Sequence, residues 1–483
     1  MELSKIKKVH LIGIGGIGMS AVAKLMLKIG AKVSGSDSAN SEIIKEIRGR
    51  GATVYIGHDV KNITTDIDLV VFSLAATENN SERKRAKELG IAQISYPQFL
   101  GVLSQKMKTV AVSGTNGKST TTAMAGLILQ ESGVDPTVIV GSKVKNFEDG
   151  NLRVGNFKNS PFVVEACEYK EAMLNLTPEI IVLTNIEADH LDYYKDLEHI
   201  KRTFTEYVKL GKKIIVNADD EISLEILKKA KILGENILSY GVENSSADVM
   251  ARNLKIKNNL QVFDLTYQKE NLGEIQLQIP GDFNIHNALA AISIAIMLKI
   301  HFKNIQESIK KFKGICRRFE VIERDEQKIV ISDYAHHPTA IRGTIKAAKE
   351  FYPDHRIVAV FQPHSWNRTK NLFDKFANSF NEADLVILSE VFYVEGREDI
   401  DDKVSSKDLM FAVNKNTCFS GISCKKTFYA ENLKRCYEII KDNLQNNDVV
   451  LLMGAGDIFK MESLLERRID LSSLTSFVRN YGG

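Results

Sequence analysis

The sequence contains little proline, one tryptophan and few cysteines, and it lacks long apolar runs. Its 483 residues include 8 prolines and 5 cysteines. An odd number of cysteines, with none in a C-x-x-C pair, argues against a disulfide framework and against a zinc site. No apolar run approaches the roughly 20 residues that a membrane-spanning helix requires. We therefore expect a cytoplasmic protein that does not insert into a membrane.

The charge is almost balanced, since 64 basic and 61 acidic residues leave a net charge of +3. So small an excess does not indicate a nucleic-acid or membrane partner. The proportions of hydrophobic residues (44%) and charged residues (26%) are typical of a globular protein. We expect no nucleic-acid partner and a monomer or weak homodimer.

Strand-like apolar runs alternate with helical patterns along the whole chain, which predicts parallel sheets covered by helices. The length suggests about three domains, and the pattern restarts near residues 105 and 315. We predict an α/β fold of three domains, each built on a mainly parallel sheet with helices on its faces. They are a Rossmann-like domain (1–105), a P-loop ATPase-like domain (106–315) and a second Rossmann-like domain (316–483). Within the second, alternating apolar and polar residues at 248–280 predict an antiparallel hairpin.

The first glycine-rich turn follows an apolar strand at 9–12 and precedes a helical pattern at 19–29. Its letters, G-I-G-G-I-G, let the backbone approach a diphosphate at the start of a helix. An aspartate about 20 residues further on could bond a ribose hydroxyl. The pattern alone is compatible with NAD or FAD, with a UDP-sugar, or with a tight turn that binds nothing. The candidate residues are Gly13, Gly15, Gly16, Gly18 and Asp37.

A second turn of the phosphate-binding type follows the apolar strand 109–113. Its G-T-N-G-K-S-T lacks the first glycine of the common P-loop, whose place Val112 takes. The Gly-Lys-Ser core still predicts backbone N–H groups around phosphates, a lysine on the β- and γ-phosphates and a hydroxyl on Mg²⁺. Two such turns suggest two nucleotides, one of them the energy source. The predicted ATP-binding residues here are Gly114, Thr115, Asn116, Gly117, Lys118, Ser119 and Thr120.

Acidic residues and a histidine follow the next two predicted strands. Glu165 ends the first of them, with Glu168 as a nearby alternative, and His190 lies in the loop after the second. Ligand sites of α/β folds gather at strand ends, and a P-loop needs a divalent metal and a carboxylate. Glu165 and His190 are therefore metal-ligand candidates, whereas Asp189 is more typical of a helix cap.

Two further clusters precede the third domain. At 281–288, His286 and Asn287 could bond the edge of a base or could cap a helix. Arg317 and Arg318 stand at the predicted domain junction, where one guanidinium could reach a phosphate.

Two loops of the third domain each follow a strand and precede a helix. The loop 333–339 carries Asp333 and His336, and the loop 361–369 carries Arg368 and the tryptophan. We expect the two loops to be neighbours in a doubly wound sheet and to form a ligand site. Each histidine taken alone fits a polar cap equally well.

Five of these motifs, in this order, resemble those of the Mur ligase family. They are G-T-N-G-K-S-T at 114–120, T-N-I-E-A-D-H at 184–190, N-I-H-N at 284–287, R-R-F-E at 317–320 and D-Y-A-H-H-P-T at 333–339. Three further stretches, at 10–20, 361–369 and 454–458, are similar to the branch that uses L-alanine. The chain departs from that branch at Asn116, where His is frequent, and at Ser365, where many relatives have Arg.

The resemblance implies an ATP-dependent ligase of peptidoglycan precursor synthesis. Such an enzyme joins L-alanine to the muramyl carboxylate of UDP-N-acetylmuramate through an acyl phosphate, with Mg²⁺. It implies that the first turn and Asp37 hold the UDP-sugar, together with His58 and Ser73. The catalytic residues implied are Lys118, Glu165, His190, Arg318 and His336.

The same resemblance assigns contacts to individual residues of the second and third domains. The metal would be held by Ser119, Glu165 and His190. The adenine would contact His286 and Asn287, and the ATP phosphates and ribose would contact Arg318 and Asp333. The L-alanine would lie beside His336 and Arg368.

Three other functions stay open at this point. A member of the same family adds a tripeptide to the same sugar, although the F-Q-P-H stretch argues against it. An NAD-dependent dehydrogenase would explain the first turn and leave the second unexplained. A nucleotide-switch binding protein would use the second turn and leave the first idle.

Overall fold

The computed structural model describes residues 2–157, 159–191, 193–232, 234, 236–325, 327–393, 404–419 and 426–466. The strands in these ranges form three separate sheets. Helices cover their faces, which confirms the predicted α/β class. No helix in the described ranges is both long enough and apolar enough to cross a membrane.

The first sheet is parallel throughout. Its strands are β1 (Lys8–Ile12), β2 (Lys32–Asp37), β3 (Thr53–Ile56), β4 (Leu69–Phe72) and β5 (Ala92–Ser95). Its helices are α1 (Ile17–Lys28), α2 (Glu42–Gly49), α3 (Ser81–Glu88) and α4 (Tyr96–Ser104). The strand order is β3-β2-β1-β4-β5. The first glycine-rich turn therefore joins β1 to α1 where the order reverses, which is where such sheets bind ligands.

The second sheet belongs to the central domain. Its strands are β6 (Thr109–Ser113), β7 (Thr137–Ile139), β8 (Leu152–Arg153), β9 (Phe162–Glu165), β10 (Ile180–Leu183), β11 (Lys213–Asn217), β12 (Ile237–Gly241), β13 (Val249–Lys257), β14 (Leu260–Tyr267) and β15 (Glu270–Leu277). Its helices are α5 (Lys118–Glu131), α6 (Leu197–Val208), α7 (Glu221–Lys229), α8 (Asp282–Met297) and α9 (Phe302–Lys310). The order is β15-β14-β13-β12-β11-β10-β6-β9-β7-β8. Strand β6 thus lies in the interior of the sheet, and the second turn joins the end of this strand to α5.

The predicted hairpin at 248–280 is confirmed. Strands β13 and β14 pair antiparallel, and β15 adds a third antiparallel strand. Asn258 and Asn259 join the first two strands with φ of 52° and 58°. Two left-handed residues make the tight turn whose twist suits a hairpin, and asparagine tolerates that conformation.

The third sheet belongs to the C-terminal domain. Its strands are β16 (Glu320–Arg324), β17 (Lys328–Asp333), β18 (Arg356–Phe361), β19 (Leu385–Ser389), β20 (Lys426–Ala430) and β21 (Asp448–Met453). Its helices are α10 (Pro338–Phe351), α11 (Trp366–Asn371), α12 (Phe373–Ala377), α13 (Ser406–Phe419), α14 (Leu433–Asn443) and α15 (Glu462–Glu466). Only β16 runs antiparallel among these strands, and the order is β16-β17-β21-β18-β19-β20.

The two predicted ligand-site loops follow strands that are separated by β21. The loops 333–339 and 361–369 follow β17 and β18, which are not adjacent because β21 pairs with both. Strand β21 is buried along its whole length and is apolar after Asp448, and a buried apolar strand takes a central position, covered on both faces. The loops after β17 and β18 nevertheless bring His336 and Arg368 close enough for the Arg368 charge to lower the pKa of His336.

A buried lysine joins the first domain to the central domain. Lys24 in α1 is 2% exposed, and its Nζ donates to the Asp149 carbonyl and to Asn151 Oδ1, both at 2.9 Å. It also pairs with Glu46 Oε1 at 2.6 Å. Asn151 Nδ2 in turn donates to the Ile17 carbonyl at 2.6 Å. These contacts hold the helix of the first turn against the central domain.

Candidate functional site

The second turn forms a phosphate-binding loop at the start of α5. Gly114 and Gly117 have φ of 132° and 87°, a region that glycine adopts readily and other residues rarely do. The first N–H groups of a helix have no partner within it, so the start of α5 can bind an anion. A Cβ on Gly117 would overlap Asn287 Oδ1. The Asn287 amide, predicted to contact adenine, therefore packs against the loop that would hold the phosphates.

The loop is braced by the 184–190 motif. The Asn116 backbone N–H donates to Asn185 Oδ1 at 3.0 Å, and Thr184 Oγ1 donates to the Asn116 carbonyl at 2.6 Å. The Asn116 side chain donates to Glu187 Oε1 at 3.2 Å. Asparagine at this position thus fixes the loop to the end of the neighbouring strand.

Lys118 reaches across the loop to a carboxylate. Its Nζ donates to two loop carbonyls, at 2.5 and 3.0 Å, and lies 2.9 Å from Glu168 Oε2. Burial alone would lower the pKa of Lys118, but the charge and hydrogen bond of Glu168, together with the charges of Cys167 and Glu165, raise that pKa. His190 Nε2 lies 3.8 Å from Glu168 Oε1. Glu168 is therefore the carboxylate that the structure places between Lys118 and His190.

Glu165 faces a different partner. Its carboxylate accepts hydrogen bonds from the Gly141 N–H and from the Ser119 hydroxyl. Burial raises the pKa of Glu165, against the effect of these bonds. Hydroxyl and carboxylate oxygens are ligands that Mg²⁺ prefers, so Ser119 and Glu165 fit one such ion. His190 lies with Glu168 instead, and the described residues contain no group of three or more His, Cys, Asp and Glu side chains that would hold a metal.

His286 is fixed by an aspartate that follows β11. Its Nε2 lies 3.0 Å from Asp219 Oδ2. Asp219 also accepts the backbone N–H groups of Val242 and Asn244 at 2.6 and 2.7 Å. Burial alone would lower the pKa of His286, but the bond with Asp219 raises it. The imidazole is therefore oriented in the first turns of α8, next to Asn287, which contacts the phosphate loop.

A buried aspartate ties the domain junction together. Asp333 is 5% exposed, and its two oxygens accept the backbone N–H groups of Phe319 and Ala335, each at 2.7 Å. Burial raises the pKa of Asp333, with the Arg318 charge acting in the opposite direction. The Arg318 guanidinium lies 4.8 Å from the centre of the Tyr334 ring. Asp333, predicted to bond the ribose, already holds the arginine loop beside the loop that follows β17.

The two residues predicted to bind the amino acid lie together, beside the central domain. Arg368 donates to Asp189 Oδ1 from Nε and Nη2 at 3.2 and 2.9 Å. His336 Nδ1 lies 2.9 Å from the Tyr334 carbonyl. Because a carbonyl only accepts, Nδ1 carries the proton and Nε2 keeps a lone pair. Burial, together with the Arg368 charge, lowers the pKa of His336 to about 3, so its imidazole is neutral at pH 7.

A second contact joins the same two domains. Thr339 Oγ1, in the first turn of α10, donates to Glu187 Oε2 at 2.8 Å. His337 Nδ1 lies 3.6 Å from the same oxygen. Glu187 thus contacts the phosphate loop with one oxygen and the C-terminal domain with the other.

In the first domain, the glycine-rich turn is held by the acid at the end of β2. The Gly15 N–H donates to Asp37 Oδ2 at 2.8 Å, so the aspartate predicted to bond a ribose also braces the turn. The first glycine of the turn has φ of 82°, and a Cβ there would come within 3.0 Å of Ser73 Cβ. At Gly18 a Cβ would come within 2.6 Å of Tyr96 Cζ. Ser73 and the Tyr96 ring therefore flank the turn.

His58 lies on the same edge of the sheet. It follows β3, whose last residue pairs with Asp37. Its Nδ1 lies 2.8 Å from Ser36 Oγ, and Ser36 Oγ donates to Glu82 Oε2 at 2.5 Å. The His58 side chain is 30% exposed, whereas that of Glu82 is fully buried.

Sequence reasoning assigned Asp189 to a helix cap, whereas it accepts from Arg368 and Asp196 caps the following helix. Three other carboxylates of the described sites were missed. Glu187 lies inside the 184–190 motif and Asp219 comes two residues after β11, so their positions in loops at strand ends could have revealed them. Glu82 lies in a charged helical stretch, S-E-R-K-R, that gives no signal of a buried acid. Its role depends on contacts with residues distant in sequence.

Comparison with known proteins gives full-length matches. Family models match residues 8–108 (Mur ligase family, catalytic domain), 112–295 (Mur ligase middle domain) and 317–456 (Mur ligase, glutamate ligase domain). UDP-N-acetylmuramate–L-alanine ligase of Clostridium kluyveri is 42% identical over 469 residues, which cover 96% of this chain and 98% of that protein. The enzyme of the same name from Clostridium novyi is 40% identical over 467 residues, with the same coverage.

Solved structures agree. The crystal structure of UDP-N-acetylmuramate-alanine ligase MurC from Thermotoga maritima is similar with a TM-score of 0.80 at 28% identity, covering 97% of this chain and 99% of that one. A murein peptide ligase from Psychrobacter arcticus is similar with a TM-score of 0.68 at 25% identity, covering 96% and 99%. With all three family models matched in order and relatives above 40% identity along its length, the chain belongs to the Mur ligase family.

Proposed function

We propose that this chain is the ATP-dependent ligase that joins L-alanine to the muramyl carboxylate of UDP-N-acetylmuramate during peptidoglycan precursor synthesis. The observation that carries the proposal is the full-length similarity to enzymes of that name. The geometry supports it, because two phosphate-binding turns and the His336–Arg368 pair occur in one chain, as the two nucleotides and the amino acid require. We place the reaction in the cytoplasm, where ATP and nucleotide-linked sugars are available.

The first chemical step makes the carboxylate reactive. Direct attack of an amine on a carboxylate would have to expel oxide, so the carboxylate is first phosphorylated. Its oxygen attacks the γ-phosphorus of ATP, the bond from that phosphorus to the ADP oxygen breaks, and an acyl phosphate and ADP form. Lys118 and Arg318 neutralise the charge on the transferred group. A Mg²⁺ ion held by Ser119 and Glu165 would, when bound, neutralise charge on the β- and γ-phosphates.

The second step forms the amide. The neutral amine of L-alanine attacks the acyl carbon, a tetrahedral intermediate forms, and the carbon–oxygen bond to phosphate breaks. His336 Nε2 has a lone pair that can accept an amine N–H, which orients the nucleophile. Its low pKa makes it a weak base, so the proton passes onward to solvent or to the departing phosphate.

The amino-acid carboxylate has an evident partner in Arg368. Its guanidinium is held by Asp189, to which two of its nitrogen atoms donate on one oxygen. A substrate carboxylate would bind the same face, because a guanidinium matches a carboxylate in a bidentate geometry. Binding of the amino acid therefore competes with a contact between the central and C-terminal domains.

The test is phosphate release from ATP with Mg²⁺, adding UDP-N-acetylmuramate and L-alanine singly and together. We expect release only when both are present, and none from the Lys118→Ala variant. A parallel reaction replaces L-alanine with the tripeptide used by the recycling ligases. Release with UDP-N-acetylmuramate and the tripeptide, but not with UDP-N-acetylmuramate and L-alanine, from protein that binds ATP, would reject L-alanine as the substrate. It would favour the recycling reaction. Activity of Lys118→Ala near that of the unmodified enzyme would reject the assignment of the phosphate loop.

A further inference from the structure

The N-terminal domain contains a fully buried carboxylate that the proposed reaction does not use. Glu82 Oε1 accepts from Asn62 Nδ2 at 2.7 Å and from the Asp59 N–H at 3.4 Å. Its Oε2 accepts from Ser36 Oγ at 2.5 Å and lies 3.5 Å from His10 Nε2. Burial alone would raise the pKa of Glu82, but the hydrogen bonds from His10, Ser36 and Asn62 outweigh it and lower the pKa to about 2. The group is therefore an ionised carboxylate, which can only accept hydrogen bonds.

This acceptor determines the direction of the hydrogen bonds that lead to His58. A serine hydroxyl has one proton, and Ser36 gives its proton to Glu82. Ser36 can then only accept from His58 Nδ1, which lies 2.8 Å away. His58 Nδ1 also lies 3.4 Å from Glu82 Oε2, which favours a proton on the same nitrogen. In the neutral imidazole Nε2 is consequently left with a lone pair.

The outer end of this chain of bonds lies where a nucleotide is expected. Ser36 precedes Asp37, which holds the first glycine-rich turn through Gly15. Ser36 and Glu82 are fully buried, whereas the His58 side chain is 30% exposed. His58 is thus the group through which the buried carboxylate can influence a bound ligand.

We propose that Glu82 is a positioning residue that, through Ser36, holds His58 as a hydrogen-bond acceptor for the nucleoside of the UDP-sugar. The proposal rests on the proposed function, which places the UDP-sugar at this turn. A uridine offers His58 Nε2 two kinds of donor, the uracil N3–H and the ribose hydroxyls. The imidazole Nε2 would accept a hydrogen bond from one of these groups only while the imidazole proton stays on Nδ1.

The Glu82→Gln variant tests this directly. A carboxamide has the same shape but can donate to Ser36, which would then donate to His58 Nδ1 and move the imidazole proton to Nε2. Nitrogen-15 NMR should show His58 with its proton on Nδ1 in the unmodified chain and on Nε2 in the variant. The KM for UDP-N-acetylmuramate should rise about tenfold, the effect of losing one hydrogen bond, with the KM for ATP and for L-alanine within about twofold of their original values.

Matched variants separate the possible failures. Glu88→Gln changes an exposed acid of the same helix, which pairs with Arg85, and should alter neither readout. If His58→Ala leaves the KM for the UDP-sugar unchanged, the placement of the sugar is wrong. If His58→Ala raises that KM but Glu82→Gln changes neither the KM nor the tautomer, the role of Glu82 is rejected.

Two further variants keep the proposal testable. Glu82→Gln combined with His58→Ala should be no worse than His58→Ala alone, since both changes remove one interaction. Additive losses would mean that Glu82 acts by some other route. Should Glu82→Gln not fold, Ser36→Ala breaks the same chain while Glu82 keeps Asn62 and His10. An unchanged KM for UDP-N-acetylmuramate in Ser36→Ala would overturn the proposal, because Ser36 would then not carry the effect of Glu82 to His58.

Discussion

At the scale of single residues, two cations of the candidate site are paired with carboxylates of the protein. Lys118 contacts Glu168, and Arg368 contacts Asp189. Leaving such a charge partly buried and unpaired would be costly. An incoming phosphate or carboxylate must therefore replace an existing partner, so an anion that fits poorly gains little by binding.

Arg368→Lys tests the amino-acid pocket. Lysine keeps the charge but loses the forked geometry, so we expect the KM for L-alanine to rise about 10- to 100-fold, the effect of a lost hydrogen bond to a charged group. The KM for ATP should stay within about twofold. Steady-state kinetics would measure both, with the exposed Arg342→Lys in α10 as the control. An unchanged KM for L-alanine would remove Arg368 from the pocket.

His336 makes a prediction about pH and stability. Its pKa in the folded chain, about 3, lies below the ordinary value of 6.5. Protons therefore bind the unfolded chain more readily, and this residue makes the fold less stable as the pH falls from 6.5 toward 3. His336→Gln cannot titrate, so it should lose less stability than the unmodified chain between pH 7 and pH 5. Urea unfolding at the two pH values measures the difference, and the exposed His301→Gln is the control. Equal losses in the unmodified chain and His336→Gln would contradict the prediction.

At the scale of elements, the glycine-rich turns were predictable because each depends on local backbone geometry between one strand and one helix. The hairpin at 248–280 was predictable for the same reason, and the α/β class and the family are confirmed. The position of β21 between β17 and β18 was not predictable, because this strand enters the sheet from about 90 residues beyond β18. The roles assigned to individual site residues, and the boundaries at 105 and 315, stay predictions.

The two ends of α5 offer a comparison of glycine with alanine. Gly117 and Gly133 both have a left-handed φ, of 87° and 78°, but only at Gly117 would a Cβ meet another side chain, that of Asn287. Gly133→Ala should therefore cost about 1–2 kcal/mol of stability for backbone strain alone and leave turnover unchanged.

Gly117→Ala should in addition displace Asn287 and the phosphate loop. We expect turnover to fall about 100-fold, the effect of a misplacement of about 1 Å at a reacting centre. Thermal unfolding and phosphate release would be measured on both variants. Equal turnover in the two would show that Asn287 does not support the loop.

At the scale of the whole molecule, the two domain contacts differ in kind. The first domain meets the central domain through the buried Lys24 and Asn151. The C-terminal domain meets the central domain through Arg368–Asp189 and Thr339–Glu187, beside the predicted substrates. Closure on binding is therefore expected to move the C-terminal domain, while the other two stay together.

Lys24→Met tests the buried contact. Methionine keeps most of the side-chain length but leaves the Asn151 oxygen without its donor, so we expect a loss of about 1–3 kcal/mol in the free energy of unfolding. The KM for the UDP-sugar should also rise, because α1 starts at the first turn. Urea unfolding and kinetics would measure these effects. Lys28→Met, on the same helix with a 42% exposed side chain, should lower the free energy of unfolding by less. An equal loss would show that the buried contacts of Lys24 contribute no more than those of the more exposed lysine.

The Lys24 contact also has a consequence for the protein during its synthesis. Its partner Asn151 lies 127 residues further along the chain, and synthesis at about 5–20 residues per second separates the two by roughly 6–25 s. During that interval the Rossmann-like N-terminal domain has been synthesised but Asn151 has not, so Lys24 lacks this partner. The newborn N-terminal domain must therefore keep this side of α1 hydrated, or covered by a chaperone, until the central domain arrives.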